Sequence, residues 1–196
     1  MDLACADLSA ARERLQLHDR LGAHGGGRWD LCAADGLRLP FADGRFDLVV
    51  CAEMLEHVRA DSRVLAEIAR VLRPGGELAV SVPRHGPERL CWALSADYAA
   101  AEGGHVRIYC KPALLARLRR AGLKPRASHY AHSLHTPFWW LKCLMDPRRT
   151  DVRVVNLYHR FLVWDLMQKP RLTRVIERLL NPLLGKSLVV YARKSD

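Results

Sequence analysis

The chain has 196 residues, of which 49% are hydrophobic, and it carries 31 Lys and Arg against 21 Asp and Glu, a formal net charge of +10. This length and composition predict one globular domain and exclude a disordered chain. No apolar run approaches the ~18 residues of a membrane span. The first residues, MDLACADLS, also lack the basic and apolar regions of a signal peptide, so we expect a cytoplasmic protein.

The charge is divided unevenly along the chain. Residues 1–103 carry 12 Lys and Arg against 16 Asp and Glu, whereas residues 104–196 carry 19 against 5. The basic half is expected to face an anionic partner, which could be a substrate, a membrane surface or a nucleic acid; solubility alone remains an alternative. The six cysteines contain no C-x-x-C pair, which indicates buried reduced thiols rather than disulfides or a zinc site.

Strands and helices alternate along most of the chain. The apolar patterns predict strands at Leu3–Asp7, Leu31–Ala34, Phe46–Cys51, Leu78–Val82, Lys124–Ser133 and Ser187–Ala192. They predict helices at Ala10–His18 with Ser9 as N-cap, Asp61–Leu72, Pro87–Ala101 and Pro112–Ala121. Such alternation predicts an α/β fold with a mostly parallel sheet.

Two consecutive blocks resemble a known family. Leu39–Val58 reads LPFADGRFDLVVCAEMLEHV, and Val71–Pro83 reads VLRPGGELAVSVP. In this order and spacing they resemble the fourth- and fifth-strand regions of class I S-adenosylmethionine-dependent methyltransferases, and the resemblance runs from roughly Leu3 to about Leu134 and resumes at the last strand. It implies a single Rossmann-like domain over residues 1–196, with an antiparallel last strand, that transfers a methyl group to an O, N or C nucleophile.

The first strand of that family and its glycine-rich loop are not matched. The glycine-rich stretch Gly22–Gly27 follows the second-strand match and is therefore not a candidate for that loop. A missing central strand would leave two unpaired strand edges. A truncated product, a miscalled start codon and another chain in the gap are the alternatives. A non-catalytic binding module with the same fold is the alternative to an enzyme.

The resemblance implies a site for S-adenosylmethionine at the carboxyl ends of the strands. Asp7 matches the acid that binds the ribose hydroxyls, with Leu8 packed on the adenine. Asp35 and Gly36 match the acid and turn at the adenine amino group, and Cys51, Ala52 and Glu53 would line the methionine side. Helix capping by Asp7 and a plain Asp-Gly turn at Asp35 remain alternatives.

An acidic cluster follows the third predicted strand. A helix that begins at or before Glu53 would place Glu53, Glu56 and His57 on one face, where they could hold a divalent ion. The pattern resembles metal-binding methyltransferases of ubiquinone synthesis and of small RNA, which implies His105 as a further ligand. Packing and capping, as in relatives without metal, stay open. His57 and His105 are also the best general-base candidates, whereas His85, His132, His135 and His159 are scattered.

Residues 137–184 interrupt the α/β alternation. They contain three helical stretches, Phe138–Met145, Val152–Met167 and Leu172–Leu183, and the second is apolar nearly all round, which predicts that it is buried. In the resembled fold this segment lies between the last two strands, so we expect a lid over a pocket for a small-molecule or lipid-like acceptor. Its expected walls include Trp139, Trp140, Tyr158 and Trp164. The nearby arginines suit an anionic membrane surface; RNA binding or RNA methylation ranks last.

Overall fold

Four strands form one sheet in the computed structural model, which describes residues 5–22, 27–101 and 103–195, the first three of them by backbone alone. The spatial order is β1-β2-β4-β3. β1 pairs parallel with β2, and β4 runs antiparallel to both of its neighbours. Three strands therefore share one direction, which confirms the mostly parallel sheet with an antiparallel last strand. The strands are β1 (Phe46–Ala52), β2 (Leu72–Pro83), β3 (Leu123–Ala131) and β4 (Ser187–Lys194).

Helices connect the strands. The helices are α1 (Cys5–Arg20), α2 (Asp61–Val71), α3 (His85–Leu94), α4 (Ala96–Ala99), α5 (Lys111–Arg120), α6 (His135–Leu144), α7 (Arg153–Gln168) and α8 (Arg171–Leu184), and Leu55–His57 forms one turn of 3-10 helix. The last three of these helices lie between β3 and β4, in the segment from which the sequence predicted a helical insertion.

The main core lies between the sheet and helices α2 and α5. Alternate residues of β2 (Leu78, Val80 and Val82) are fully buried, as the period of two in a strand requires. From α2, Leu65 and Ile68 fill the space above them at a spacing of three. These contacts fix the edge of the sheet where β1 and β2 end.

A buried carboxylate ties α2 to the segment around α5. Asp61 Oδ2 accepts a hydrogen bond of 2.6 Å from the Tyr109 hydroxyl and lies 2.6 Å from Arg107 Nη1 and 2.9 Å from Arg117 Nε. Burial alone would raise the pKa of Asp61, but the Tyr109 hydroxyl and the two guanidinium groups together hold it below its usual value.

Two of the predicted strands are absent from the described residues. Cys5–Asp7 begin helix α1, Leu3 lies outside the described residues, as does most of Gly22–Gly27, and Leu31–Ala34 has no regular structure. A strand needs a neighbour for its backbone hydrogen bonds, whereas a helix satisfies them within itself. β1 is an edge strand in the described part of the chain, and its Leu48 and Val50 are 55% and 66% exposed.

Three predictions about helices are also wrong. Ser9 lies inside α1, not at its start. The helix predicted over Pro87–Ala101 is broken at Ser95, whose Oγ accepts from Tyr98 N and starts α4. Helix α7 is not buried all round, because Leu157 is 66% and Trp164 is 49% exposed. Apolar content alone could not tell a buried helix from one with an apolar outer surface.

We expect Asp61→Asn to lower the free energy of unfolding by about 1–3 kcal/mol at pH 7, because two guanidinium groups lose their charged acceptor. Since the pKa of Asp61 is lowered by folding, its contribution is complete above its unfolded pKa of 3.8 and disappears as the pH falls through the folded value. Denaturant unfolding of both proteins between neutral and acid pH measures this difference. Asp97→Asn, which breaks an exposed pair with Arg148, should cost under about 1 kcal/mol; equal losses in both variants would contradict the account.

Candidate active site

A cavity of about 360 Å³ opens at the edge of the sheet where β1 and β2 end and β4 begins. Ligands of open α/β sheets bind at this edge. Its walls come from the segment after β1, from α3 and the loop that follows α4, from α6 and from the residue before β4. The lining residues are Glu53, Glu56, His57, Trp92, Tyr98, Ala101, Gly104, His105, Trp139 and Lys186.

The chain turns sharply as it leaves β1. Glu53 has a left-handed backbone with φ of 47°, and the helical turn includes only Leu55–His57. The expected helix starting at or before Glu53 is therefore wrong, and Glu53 does not share a helix face with Glu56 and His57. All three nevertheless line the same cavity, because the turn carries Glu53 to its rim.

Glu56 is a buried carboxylate beside His57. Its side chain is fully buried, and neither of its oxygens has a hydrogen-bond partner among the described residues. Burial raises the pKa of Glu56, and the nearby charge of Glu53 raises it further. A buried ionisable group of this kind beside a cavity is typical of functional sites, since it costs stability.

His57 is oriented by backbone. Its Nδ1 lies 2.8 Å from the carbonyl oxygen of Gly103 and 3.3 Å from that of Gly104, so the Nδ1–H donates to them. The other ring nitrogen, Nε2, lies 3.8 Å from Glu56 Oε1. The His105 ring follows at 5.0 Å, and Glu56, His57 and His105 bring one donor atom each within 4.8 Å of one another.

Glu88 holds the opposite wall, and the sequence reasoning missed it. It is 1% exposed, and its Oε1 accepts from His105 Nδ1 at 2.6 Å and from the Tyr98 hydroxyl at 3.0 Å. Lys186 Nζ lies 3.3 Å from its other oxygen. Burial alone would raise the pKa of Glu88; the His105 hydrogen bond and the Lys186 charge lower it. The sequence signal that could have identified Glu88 is its spacing of three residues from Cys91, which places both residues on the buried face of α3.

The predicted adenine residues form a turn beside a small apolar cavity. Asp35 Oδ1 accepts from Leu37 N at 2.9 Å, which makes the Asp-Gly turn that was the alternative reading. Asp35 and Gly36 also line a cavity of about 200 Å³ with Met54 and Val58 among its walls. A Cβ on Gly36 would lie 3.3 Å from Met54 Cε, so a larger residue would crowd this cavity.

Other predicted cofactor residues are not brought to these cavities. Cys51 is 6% exposed in the main core, where burial raises its thiol pKa to about 11, and Ala52 is exposed; neither lines a cavity described above. Strand alternation points Cys51 to the core side. Asp7 and Leu8 lie in α1, so the expected position of Asp7 at the end of a strand is wrong. The structure describes the backbone of Asp7 but not its side chain.

Of the four aromatic residues expected as pocket walls, Trp139 lines the main cavity. Trp140 donates its indole N–H to the carbonyl of Pro87 at 3.1 Å, and Tyr158 donates to that of Leu134 at 3.0 Å in a smaller core. Trp164 lies half exposed on α7. The helical segment thus reaches the cavity through α6.

Comparison with known proteins agrees with this architecture. A family profile described as "Methyltransferase domain" matches residues 1–80. Over 107 residues the chain is 34% identical to a 27-O-demethylrifamycin SV methyltransferase of Amycolatopsis mediterranei, a stretch that is 54% of this chain and 39% of that protein. Over 55 residues, 28% of this chain and 22% of the relative, it is 58% identical to a demethylmenaquinone methyltransferase of Parafrankia.

The crystal structure of the cyclase SpnF superposes with a TM-score of 0.54, at 22% identity, over 95% of this chain and 61% of that one. The superposition shows that the two proteins share a Rossmann-like α/β fold. Residues 1–80 are similar to a methyltransferase domain, and the curated relatives match part of the chain. The matched stretches of the chain cover well under two thirds of the length of these curated relatives.

Proposed function

We propose that this chain is part of an S-adenosylmethionine-dependent methyltransferase that acts on a small-molecule or lipid-like acceptor at the main cavity. The observation that carries the proposal is the position of His57, whose Nδ1 is held by a backbone carbonyl group and whose Nε2 lies beside a buried carboxylate in a cavity with aromatic walls. A neutral imidazole held in this way can accept a proton at Nε2 from an acceptor hydroxyl.

The residues around Asp35 fit one end of the cofactor. The small cavity beside Asp35 and Gly36 has the apolar walls that a flat aromatic ring such as adenine needs, and Asp35 Oδ2 remains to accept from an amino group. When bound, S-adenosylmethionine supplies a methyl group already activated by its sulfonium. Glu53 and Met54 are consecutive, so the two cavities lie on either side of one short turn.

The protein's own task is then to position the acceptor and remove its proton. As the hydroxyl oxygen is methylated, its proton passes to His57 Nε2, and the Gly103 carbonyl holds the ring in place through Nδ1–H. The neighbouring Glu56 carboxylate favours the imidazolium that forms. His105 is the second candidate base, although its Nδ1 is already bound to Glu88.

The acceptor is proposed to be aromatic. Trp92, Tyr98 and Trp139 supply flat apolar walls to the cavity. The two relatives named above are named for 27-O-demethylrifamycin SV and for demethylmenaquinone, which supports methylation of a small molecule.

The same cluster could instead hold a divalent ion. Glu56, His57 and His105 offer three donors, and the unpartnered oxygens of Glu56 favour this second candidate role. The ion would orient an acceptor oxygen. Loss of methyl transfer after treatment with a chelator would support a bound ion. Unchanged methyl transfer after the same treatment would support His57 as a base that acts without an ion.

A non-catalytic module is the second candidate function. It stays open because a shared fold does not determine the reaction: SpnF, which superposes on this chain, is named a cyclase and not a methyltransferase. Ligand binding at the cavity without any methyl transfer would support the module.

We propose that the acceptor is met at an anionic membrane surface, with the protein cytoplasmic and peripheral. Helix α8 exposes one apolar stripe, and exposed Arg171 and Arg178 flank it. The stripe consists of Leu172, Val175, Ile176, Leu179 and Leu183. None of the described helices is both long and apolar enough to cross a bilayer.

We expect the chain to bind S-adenosylhomocysteine, and Asp35→Ala to weaken that binding by about tenfold or more, because a hydrogen bond to a carboxylate contributes about 1.5–3 kcal/mol. Isothermal titration calorimetry measures both affinities. Asp30→Ala is the matched control, since Asp30 also accepts a local backbone hydrogen bond but lines neither cavity. Equal affinities for all three proteins would remove Asp35 from the site, and no binding by the folded wild type would contradict cofactor use by this chain.

We expect the protein to sediment with anionic vesicles at low salt and to be released as salt rises. Leu172→Gln/Leu179→Gln should reduce the bound fraction severalfold, because each buried leucine contributes about 1.5–3 kcal/mol. Leu144→Gln, at a leucine 60% exposed on α6, should change it little. Sedimentation unaffected by the α8 changes, or α8-dependent dimers without vesicle binding, would reject the membrane surface.

A further inference from the structure

A second cluster of metal-binding side chains lies behind the main cavity. His132 and His135 flank the turn between β3 and α6, and Glu177 faces them from α8. One donor atom from each lies within 4.8 Å of the others, and the two imidazole rings are 5.4 Å apart. They line a cavity of about 310 Å³ that shares Glu53 and Lys186 with the main one.

The cluster is held from both sides. His132 has a left-handed backbone with φ of 64°, and its carbonyl accepts from His135 N at 3.1 Å. Between them, Ser133 N donates to Asn181 Oδ1 at 3.1 Å, and Ser133 Oγ donates to the Glu177 carbonyl at 3.2 Å. These bonds fasten the turn to α8, so the two histidines are presented to Glu177 by an ordered frame.

Polar atoms in this cluster lack partners. His135 Nδ1 and Asp165 Oδ1 are both buried and have no hydrogen-bond partner among the described residues, and Asp165 lines the same cavity. Leaving such atoms unsatisfied costs about 1–3 kcal/mol each. An ion bound to the histidines, with a water on it that donates to Asp165, would remove part of this cost.

The local charges permit a cation. Asp165 and Glu177 are both paired to Arg174, at 3.1 Å and 3.2 Å, which leaves one net negative charge in this group. Lys186 also lines the cavity, but its charge is paired with Glu88. The Arg174 contact uses Glu177 Oε2 and leaves Oε1 for an ion.

We propose that His132, His135 and Glu177 form a binding site for a zinc-like divalent ion, distinct from the cluster at His57. Two imidazoles and one carboxylate are a ligand set that zinc uses, and its fourth position would hold water facing the cavity. The ion would join the β3–α6 turn to α8 and so fix the helical segment against the sheet. Mg²⁺, which prefers an all-oxygen octahedron, does not suit the set.

The test uses the full chain after treatment with a chelator and desalting, titrated with Co²⁺ and Zn²⁺. The visible absorption of Co²⁺ shows whether the ion is bound with a low coordination number, and isothermal titration calorimetry measures the affinity for Zn²⁺. His132→Asn removes the imidazole but tolerates the left-handed backbone, and Glu177→Gln removes the charge. Each should weaken Zn²⁺ binding at least tenfold and reduce the Co²⁺ absorption, and Zn²⁺ should raise the melting temperature of the wild type more than that of either variant.

Matched controls separate this site from the others. His57→Ala/His105→Ala should keep the Co²⁺ absorption, and so should His129→Ala, which removes a nearby histidine of β3. Loss of the signal in His57→Ala/His105→Ala with retention in His132→Asn would place the ion at the main cavity and overturn the proposal. A wild type that binds Zn²⁺ no more tightly than both site variants would overturn it as well.

Discussion

One buried carboxylate, Glu88, holds the main cavity together. Its two oxygens join His105, Tyr98 and Lys186, which come from separate parts of the chain, and its own side chain is 1% exposed. A buried charge is tolerated only when it is paired and hydrogen bonded, so each partner is fixed by the need to satisfy it. Glu88 thus joins α4, the loop that follows it and the residue before β4. The geometry that places His105 opposite His57 depends on this one group.

Two buried carboxylates of the site, Glu88 and Glu56, have different surroundings. Glu88 has three partners and a lowered pKa, whereas Glu56 is equally buried, has a raised pKa and lacks a hydrogen-bond partner among the described residues. The first stabilises the fold, and the second costs stability at the place where a ligand would meet His57. Functional sites often combine one carboxylate that orients neighbouring side chains, here Glu88, with another that can interact with a bound ligand, here Glu56.

The strands that were predicted correctly are those whose formation is determined by the local residue pattern. The run Phe46–Cys51 and the turn and strand ending at Pro83 were found because short apolar runs between turn residues have few alternatives. Leu31–Ala34 failed because strand formation depends on a neighbour that no local pattern reports. The position of Glu53 depended on one left-handed residue, and the roles of Glu88, His132 and His135 depended on long-range contacts. Scattered histidines meet only after the chain folds, so their spacing in sequence carried no signal.

The central claim is that His57 removes the proton from the hydroxyl group of the acceptor molecule during methyl transfer. The most direct measurement is transfer of labelled methyl from S-adenosylmethionine to hydroxyl-bearing acceptors, including 27-O-demethylrifamycin SV, by the wild type, His57→Gln and His85→Gln. His85 is an exposed histidine outside the cavity. The account predicts that kcat falls about 10²- to 10⁴-fold in His57→Gln and is unchanged in His85→Gln. Transfer by His57→Gln at the wild-type rate would contradict it.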